Sequence, residues 1–340
     1  MRERLDILYQ FDEKYAPYAG VSMTSLLENN KSAKRIYIYI LGDKLSGKTV
    51  ERFKSFSEKY TNVQIIFPDI QKMISNMKDL GLPTYRGSYA ANLRMFLDEF
   101  VDADADRVLY LDADTIINRN IEGIFSYGLS GKTLGMVLES LTNAKYKEAI
   151  GIGQEAEYFN SGVILYDMEK WRKRHYKNRI IEHIRNVRSN YPCPDQDLIN
   201  IICKEDICRM PIKYNFQPFH RVYKPELYFR VYKSRPYYAE NEIKEGNKHT
   251  VIYHCYRYIG EFPWHRDTLH PFTDEFDKYL VTSPWMDYVK GFSDCGIVVT
   301  IEKILYGILP KYIFLLIFKA VHDMVLRNAE KVSRQKRLEK

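Results

Sequence analysis

Short apolar runs alternate with longer amphipathic segments through the first two thirds of the chain. The runs have the length and the Ile, Leu, Val and Tyr content of buried strands, whereas the longer segments repeat their apolar residues at helical spacing. The predicted strands cover residues 5–11, 35–41, 62–67, 107–111, 135–139 and 158–167. The predicted helices cover residues 18–29, 49–59, 85–100 and 168–187, and a further helix opens at 194. This alternation predicts an α/β fold with a doubly wound, mainly parallel sheet.

The apolar strand that begins at Arg107 runs directly into two carboxylates, Asp112 and Asp114. Side chains two residues apart in a strand project to the same face, so these carboxylates can approach one hard divalent cation. They stand at the carboxyl end of the strand, where open α/β sheets bind their ligands. Two acidic residues also occur at strand ends where they only solvate a turn, so the pair by itself leaves both interpretations open.

A different ligand pattern follows the second strand. Residues 42–49 match the phosphate-loop sequence G-x-x-x-x-G-K-[ST] in its usual position between a strand and a helix. The strand that ends at Asp112 would then supply the acidic partner of such a loop. The competing interpretation is an exposed turn followed by the N-cap of a helix. The sequence therefore leaves a P-loop nucleotide hydrolase that uses Gly42 to Thr49 as an alternative function.

The charge and cysteine content of the chain indicate which partners and which cellular compartment to expect. The net charge of the 340 residues is +7, and nine basic against four acidic residues after residue 300 account for +5 of it. The remaining body is nearly neutral, which argues against a general nucleic-acid-binding protein. The five cysteines are odd in number and lack Cys-x-x-Cys spacing, which predicts free thiols. Because the N-terminus also lacks the apolar run of a secretory signal, the sequence predicts a cytoplasmic protein.

Seven motifs occur in an order that points to one family. They are Asp6-Ile7-Leu8-Tyr9 with Asp12 and Tyr15, Arg94, Leu111-Asp112-Ala113-Asp114, Tyr158-Phe159-Asn160-Ser161-Gly162-Val163, Asp195-Gln196-Asp197 with Asn200, Tyr214-Asn215-Phe216, and His254 followed by Gly260 and Pro263-Trp264. In this order they resemble the retaining glycosyltransferases of family 8 over residues 5–270. The resemblance implies a GT-A fold, with a Rossmann-like nucleotide-binding half in a mixed, mainly parallel sheet. It also implies transfer of galactose or glucose from a UDP-sugar to a saccharide or lipid-linked saccharide in the synthesis of cell-surface polysaccharide or lipopolysaccharide.

The same resemblance assigns roles to individual residues. Asp112, Asp114 and His254 would be the ligands of Mn²⁺, with Mg²⁺ as the alternative metal. Gln196 and Asp195 would be catalytic. The implied donor-binding residues are Tyr9, Gln10, Asp12, Tyr15, Arg94, Asp112, Ala113, Asp114, Asn160, Arg257 and Gly260. In the implied mechanism Gln196 stabilises positive charge at the anomeric carbon while the acceptor attacks from the side that UDP leaves, and the departing phosphate oxygen takes the acceptor's proton.

The loop after His254 departs from the family pattern. The family usually reads H-x-x-G-x-x-K-P-W, with the lysine on the diphosphate, whereas this chain has a longer loop and Phe262 in place of the lysine. A diphosphate that loses one cation binds less tightly unless another cation replaces it. Arg257 is the predicted substitute and Arg266 the alternative. The missing lysine also leaves an inactive sugar-nucleotide-binding protein as an alternative function.

Aromatic and basic residues interleave between residues 213 and 238. Single-stranded nucleic acids bind surfaces of this composition, because bases stack on aromatic rings and phosphates meet cations. Beside a sugar-transfer site, however, the same residues are expected to form an acceptor wall that stacks sugar rings or meets lipid head groups. No nucleic-acid partner is therefore predicted.

Residues 276–340 are predicted to form a helical, apolar and basic appendage to a catalytic domain that covers residues 1–275. The uninterrupted apolar run that starts at Tyr312 has seven residues, far fewer than the roughly 20 that span a bilayer. The apolar stretch from 297 and the basic residues that follow it up to 340 suit an anionic membrane surface. A helix packed on the enzyme or in a dimer is the competing interpretation. The sequence therefore predicts a peripheral protein on the inner face of the cell membrane.

Overall fold

The structure is a computed structural model that describes residues 2–82, 84, 88–187, 191–232, 236–294 and 296–338, the last six of these by their backbone alone. The strands are β1 Leu5–Asp12, β2 Ile36–Asp43, β3 Val63–Ile66, β4 Arg107–Leu111, β5 Thr115–Ile117, β6 Leu134–Leu138, β7 Phe159–Asp167, β8 Ile207–Arg209 and β9 Ile252–His254. The α-helices are α1 Ala16–Asn29, α2 Gly47–Ser57, α3 Gln71–Asp79, α4 Glu122–Phe125, α5 Ala144–Ala149, α6 Met168–Lys173, α7 Tyr176–Val187, α8 Pro194–Ile202, α9 Pro218–Val222, α10 Pro225–Val231, α11 Glu240–Lys248, α12 Thr273–Leu280, α13 Gly296–Ile308 and α14 Lys311–Leu338. Short 3-10 helices cover Glu13–Tyr15, Ala90–Glu99, Lys204–Asp206 and Ile212–Tyr214.

Within these described ranges, seven strands form one sheet in the order β3-β2-β1-β4-β7-β6-β8. β1 pairs in parallel with β2 and β4, β2 with β3, and β6 with β8, whereas β7 is antiparallel to both of its neighbours. The predicted α/β fold with a mixed, mainly parallel sheet is therefore confirmed. The chain moves outward from β1 to β3 and returns on the other side of β1 as β4. Such a reversal opens a crevice at the carboxyl ends of β1 and β4, where α/β proteins bind ligands.

The central strands owe their position to their composition. Every residue of β7 and all but the last residue of β1 are buried, as expected for nearly continuous apolar strands that helices cover on both faces. β5 and β9 lie outside the large sheet and pair with each other in antiparallel orientation. This small pair carries a segment from late in the chain to the end of β4.

The segment before β4 differs from the predicted amphipathic helix at 85–100. Residues 85–87 lie outside the described ranges, and Ala90–Glu99 forms a 3-10 helix that breaks at Phe96. The backbone N–H of Arg94 donates to the side-chain oxygen of Gln10 at 2.8 Å. An amide that would continue an α-helix is therefore bonded to a side chain of β1, and such competing hydrogen bonds interrupt helices.

The predicted helix at 168–187 is divided in two. Asp167 caps the first part, α6, by accepting the backbone N–H of Lys170 at 3.0 Å. His175 then adopts a left-handed conformation with φ of 54°. A residue in this conformation commonly ends a helix, so α7 begins as a separate element at Tyr176.

The N-terminal half of α14 packs on the rest of the chain. Phe314 and Leu315 are buried in a second apolar core, which we call the aromatic cluster. Its other buried members are Phe219, Tyr223, Tyr228, Val231, Tyr232, Tyr258 and Ile259. The interleaved aromatic residues of 213–238 thus support α14, which matches the competing interpretation of the C-terminal segment as a packed helix.

The predicted domain boundary at residue 275 falls inside α12. Phe276 and Trp285, which follow that boundary, belong to the main core with β1 and α1. The division into a catalytic domain at 1–275 and an appendage at 276–340 stays a prediction. Among the helices that the structure describes, none combines the length and the apolar content that a bilayer-crossing helix needs.

Candidate metal and donor site

The carboxylates of Asp112 and Asp114 meet the imidazole of His254 beyond the end of β4. The antiparallel pairing of β5 with β9 sets His254 opposite Thr115 and so brings it to the two carboxylates. Nε2 of His254 lies 3.5 Å from Oδ1 of Asp114 and 3.7 Å from Oδ2 of Asp112. One ligand atom from each of the three residues lies within 4.8 Å of the others. Oxygen and nitrogen ligands bind divalent metals at roughly 2.0–2.6 Å, so a cation between these atoms needs only small side-chain shifts.

Asn215 fixes the orientation of His254. Nδ1 of His254 lies 3.0 Å from Oδ1 of Asn215, and the amide nitrogen of Asn215 donates to Oδ1 of Asn160 at 2.8 Å. Because the Asn215 oxygen accepts, Nδ1 carries the hydrogen, and Nε2 keeps its lone pair for a metal. Gly162 makes room for the ring, since a Cβ there would lie 2.1 Å from Cε1 of His254. The Asn-Ser-Gly and Tyr-Asn-Phe motifs therefore support the same imidazole.

Burial and the neighbouring charges shift the pKa of two groups in this site, His254 and Asp112. Burial opposes the charged form of His254, but the carboxylates of Asp114 and Asp112 outweigh it and raise the pKa of the imidazole. Burial raises the pKa of Asp112, and repulsion from Asp114 adds to that effect, although Arg94 opposes it. A divalent cation would relieve the repulsion between the carboxylates and would compete with a proton for His254.

Arg94 connects the two walls of the site. Its guanidinium lies 3.1 Å from Asp112 and 3.3 Å from Asp195, and it donates to the carbonyl of Ser161 at 2.6 Å. The buried side chain also lies over the ring of Tyr110, 4.1 Å from its centroid. Two carboxylates already share the charge of Arg94, so this residue is a cationic bridge between the candidate metal ligand Asp112 and α8.

Gln196 is held at both ends of its amide. Its oxygen accepts the backbone N–H of Ser161 at 3.0 Å, and its nitrogen donates to the hydroxyl of Tyr158 at 3.0 Å. Tyr158 donates in turn to the buried carboxylate of Asp197 at 2.7 Å. Burial raises the pKa of Asp197 to about 6. Asn200 bonds the backbone of β7 through both amide atoms and so fastens α8 to that strand.

An open cavity of 510 Å³ lies beyond the carboxyl ends of β1 and β4. The predicted site residues that line it are Gln10, Asp12, Tyr15, Arg94, Asp112, Ala113, Asp114, Asn160, Asp195, Gln196, His254 and Arg257. The structure does not bring Tyr9 or Gly260 into this lining. Tyr9 lies under α1 with its hydroxyl 2.9 Å from that of Ser22. Gly260 occupies a turn with φ of 66°, where a Cβ would lie 2.4 Å from Val299 of α13.

The end of β1 shapes one side of the cavity. The amide of Gln10 accepts from Arg94 and donates to the carbonyl of Ala91 at 2.9 Å, so it holds the 3-10 helix in place. Asp12 accepts the backbone N–H of Tyr15 at 3.1 Å. The ring of Tyr15 meets Trp264 edge to face, with centroids 6.3 Å apart. A carboxylate and an aromatic ring are thereby set together at the mouth of the crevice.

Comparison with known proteins identifies the family. The sequence model of glycosyl transferase family 8 matches residues 6–268, a range that contains the metal site, α8 and the aromatic cluster residues before α14. The chain belongs to glycosyl transferase family 8. Its function class is therefore that of a glycosyltransferase.

Relatives within family 8 are distant but extensive. The chain is 26% identical over 294 residues to lipopolysaccharide 1,2-glucosyltransferase of Escherichia coli K12, with 84% of this chain and 80% of the relative covered. It is 22% identical over 286 residues to general stress protein A of Bacillus subtilis, with 83% and 95% covered. The fold matches that of the galactosyltransferase LgtC in complex with donor and acceptor sugar analogs, with a TM-score of 0.65 at 22% identity over 82% of this chain and 96% of that chain. The expected GT-A fold is thus confirmed.

Phe262, which stands where the resemblance predicts a lysine, stacks its ring on Trp264 with centroids 4.4 Å apart. The guanidinium of Arg257 lies 5.2 Å from the centroid of Phe262 and lines the cavity. Arg266 instead lies over Phe292, at 5.5 Å, and is not among the lining residues. Of the two arginines predicted to replace the lysine, only Arg257 borders the cavity.

The 42–49 loop lies outside the cavity lining. The carboxylate of Glu13 accepts from the backbone N–H of Ser46 at 2.8 Å, from its hydroxyl at 2.9 Å, and from the hydroxyl of Thr49 at 2.7 Å. The Ser46 hydroxyl oxygen caps α2 by accepting the N–H of Thr49 at 3.2 Å. A phosphate loop offers such groups to phosphate and metal, whereas here an acidic side chain takes them. The segment is a helix N-cap, as the competing interpretation expects.

Several lining residues of this family 8 site were not predicted. Glu139 follows β6 and accepts the amide of Asn160 at 2.7 Å. The same strand-end argument that selects Asp112 would have selected Glu139. His322 and Leu326 reach the cavity from α14, and no sequence signal marks them, because the pattern of a helix does not state where its faces dock.

Proposed function

We propose that the protein is a retaining hexosyltransferase that transfers galactose or glucose from a UDP-sugar to a saccharide or lipid-linked saccharide in lipopolysaccharide or related cell-surface synthesis. The observation that carries the proposal is the group of Asp112, Asp114 and His254 in a cavity that Asp195 and Gln196 also line. Membership in glycosyl transferase family 8 and the names of the lipopolysaccharide relatives support it.

The donor set of the metal site favours Mn²⁺. Mg²⁺ prefers oxygen ligands alone, whereas two carboxylates with one imidazole suit a transition metal of moderate hardness. Held by Asp112, Asp114 and His254, the metal would neutralise charge on the diphosphate as UDP leaves. Arg257 would contact the same diphosphate as the replacement for the family lysine.

The other residues are assigned by position and chemistry. Asp12 and Tyr15 would bind the uridine by hydrogen bonding and stacking. Asn160 and Asp195 would bind hydroxyl groups of the hexose. Gln196 would stabilise positive charge at the anomeric carbon, since an amide oxygen is a poor nucleophile and this one already accepts the N–H of Ser161. The acceptor then attacks from the side that UDP leaves, and the departing phosphate oxygen takes its proton.

The proposal is tested by release of UDP from UDP-galactose, UDP-glucose and UDP-N-acetylglucosamine, with Mn²⁺ and with EDTA. We expect release from one hexose donor, which EDTA abolishes. The Asp114→Ala variant should lose roughly a thousandfold in rate, because a metal at a leaving group contributes several kcal/mol. Asp79→Ala, which alters an exposed carboxylate of α3, is the matched control. Hydrolysis of ATP instead of any UDP-sugar, with Asp114→Ala at full activity, would contradict the proposal.

We further propose that residues 276–340 attach this enzyme to an anionic membrane surface on the cytoplasmic side. The outer face of α13 and α14 exposes Ile297, Val298, Ile301, Ile304, Ile308, Ile313, Leu316, Ile317, Val321, Met324 and Val325. Basic residues follow at Arg327, Lys331, Arg334, Lys336, Arg337 and Lys340. An apolar face beside a basic segment suits the interface of an anionic bilayer.

Co-sedimentation with lipid vesicles tests the membrane proposal. The protein should bind vesicles that contain phosphatidylglycerol more tightly than vesicles of phosphatidylcholine alone. Replacing Val321 and Val325 together by Asp should weaken binding by roughly tenfold or more, because each buried valine contributes about 1.5 kcal/mol. Val187→Asp, at an exposed valine of α7 outside residues 276–340, should have no effect. Equal binding of all three proteins would refute the assignment.

A further inference from the structure

The C-terminal helix α14 contributes to the cavity although it lies beyond the family 8 match, which ends at residue 268. His322 and Leu326, one helical turn apart, both line it. We propose that His322 contacts the acceptor saccharide, so that α14 completes the acceptor side of the site. This inference rests on the proposed transferase function.

The position of His322 is fixed by packing on both sides of it along α14. Phe314 and Leu315 are buried in the aromatic cluster, and the ring of Phe318 lies 5.1 Å from that of Phe219. Next to His322, the carboxylate of Asp323 accepts the side-chain amide of Asn143 at 2.8 Å. These contacts hold α14 against rotation and keep His322 turned to the cavity while Val321 and Met324 face outward.

The imidazole of His322 has hydrogen-bonding capacity that the protein does not use. Its Nδ1 is buried and makes no hydrogen bond within the part of the chain that the structure describes. The ring lies nearly parallel to that of Phe318, with centroids 6.2 Å apart and an angle of 10°. A buried polar atom without a partner is costly, and because His322 lines the cavity, a small rotation of its ring would bring this nitrogen to a bound group that supplies the partner.

The chemistry of His322 fits a sugar hydroxyl better than a phosphate. Burial lowers the pKa of His322, although the carboxylates of Glu139 and Asp323 act in the opposite direction and Lys319 acts with burial. The imidazole is therefore neutral at neutral pH and offers one donor and one acceptor, as a hydroxyl requires. Leu326 adds an apolar surface for the C–H face of a sugar ring. The cation Arg94 instead lies 3.1 Å from Asp112, and Arg257 lies over the ring of Phe262.

The helix α14 reaches the cavity by packing on elements other than those that carry the candidate metal ligands. α14 packs on α10 and α5, and it meets the lining formed by Leu141, Thr142 and Tyr146. The candidate ligands Asp112 and Asp114 precede β5, and His254 ends β9, which pairs with β5. A lipid-linked acceptor would reach the cavity along the same helix whose outer face we assign to the membrane.

The test measures UDP release by the full chain with Mn²⁺ and UDP-hexose, while octyl β-galactoside or octyl β-glucoside is varied as the acceptor probe. The concentration of probe that gives half of its effect, whether stimulation or inhibition, should rise roughly tenfold or more in His322→Ala, since a buried hydrogen bond is lost. The KM for UDP-hexose and the release without probe should stay unchanged. His322→Asn should recover part of the loss, because its amide offers a hydrogen bond near the former Nδ1.

His249→Ala is the matched control, because His249 is exposed on the surface at the end of α11. An unchanged half-effect concentration in His322→Ala, or an equal rise in the KM for UDP-hexose, would overturn the acceptor role. The same holds if neither probe affects the unaltered protein. Absence of UDP release from every UDP-sugar would overturn the proposed function itself, whereas release that is indifferent to His322 would overturn only this inference.

Discussion

Residues 42–49 and 112–114 each follow a strand of the same parallel run, and each carries a pattern that binds phosphate or metal elsewhere. Around 112–114 the neighbouring elements add His254 and Arg94, and the charges face a cavity. Around 42–49 the neighbouring segment adds Glu13, which takes the donors of the loop. β4 adjoins β1 at the point where the strand order reverses, whereas β2 lies on the other side of β1. Position in the sheet, more than the motif, decides which strand end binds a ligand.

The two strand ends also differ in how a carboxylate supports them, and this difference gives the largest expected effect on stability. Glu13 supports its loop from the surface, whereas Asp197 supports Gln196 through Tyr158 from inside the protein. Burial raises the pKa of Asp197 from 3.8 to about 6. Its contribution to stability is therefore complete below pH 4 and is lost as the pH rises through 6. The loss is about 3 kcal/mol, from about 1.4 kcal/mol per pKa unit.

Urea unfolding between pH 4 and pH 7 tests this sign. Because an amide does not ionise, the free energy of unfolding of the unaltered protein, relative to that of Asp197→Asn, should fall with rising pH. Asp206→Asn is the control of opposite kind: burial alone would raise the pKa of Asp206, but hydrogen bonds from Arg174, Thr133 and Tyr176 lower it. The free energy of unfolding of the unaltered protein relative to that of Asp206→Asn should therefore not change with pH above pH 4. A flat difference for Asp197→Asn would show that the carboxylate carries no burial penalty.

Asn215 is the next test, because the 42–49 loop has no counterpart to it. Replacing Asn215 by Ala removes the acceptor at Nδ1 of His254. The tautomer that has its hydrogen on Nδ1 and a lone pair on Nε2 is then no longer fixed. Loss of such an outer contact typically weakens metal binding by roughly 10–100-fold. Titration of Mn²⁺ followed by electron paramagnetic resonance measures the affinity directly. Asn247→Ala, at a half-buried asparagine of α11 whose side chain accepts from Arg221, should leave it unchanged, and equal affinities of the two variants would argue against the histidine as a ligand.

The regular parts of this architecture could be predicted from the sequence, because strand periodicity and strand-end chemistry are local. The alternation of strands and helices gave the sheet, and the Asp112 and Asp114 pair gave one edge of the site. Which face of a strand meets which neighbour is not local. Tyr9 and Gln10 are adjacent in β1, yet the hydroxyl of Tyr9 meets α1 and the amide of Gln10 holds the 3-10 helix.

The C-terminal wall of the cavity was beyond sequence reasoning for the same reason. The apolar pattern of α14 is that of a helix with one buried face, and it fits a membrane or a protein surface equally well. Only the aromatic cluster, assembled from segments far apart in sequence, determines that Phe314 and Leu315 dock there. His322 reaches the cavity as a consequence of that docking.

Arg257 lines the cavity beside Phe262 and is the arginine that we expect to replace the lysine. In Arg257→Ala the KM for UDP-hexose should rise roughly tenfold, the lower end for a charge-assisted contact that solvent partly screens. The affinity for Mn²⁺ should not change, since Arg257 is not among the three possible ligands. Steady-state kinetics with varied donor measures the effect. Arg266→Ala is the control, and an increase of KM in this variant alone would reverse the assignment of the two arginines.

The smallest effect is expected for a change of Lys48, which belongs to the 42–49 loop. A phosphate loop depends on this lysine for nucleotide binding, but here the N–H of Ser46 and the hydroxyl of Thr49 are bonded to Glu13. A phosphate at this position would meet the negative charge of that carboxylate. Lys48→Ala should therefore leave UDP release and nucleotide affinity unchanged, as measured by kinetics and by calorimetry with UDP and ATP. If the variant lost nucleotide binding while Asp114→Ala kept it, the ligand site would lie at the end of β2, and the position of β4 beside β1 would not be what selects it.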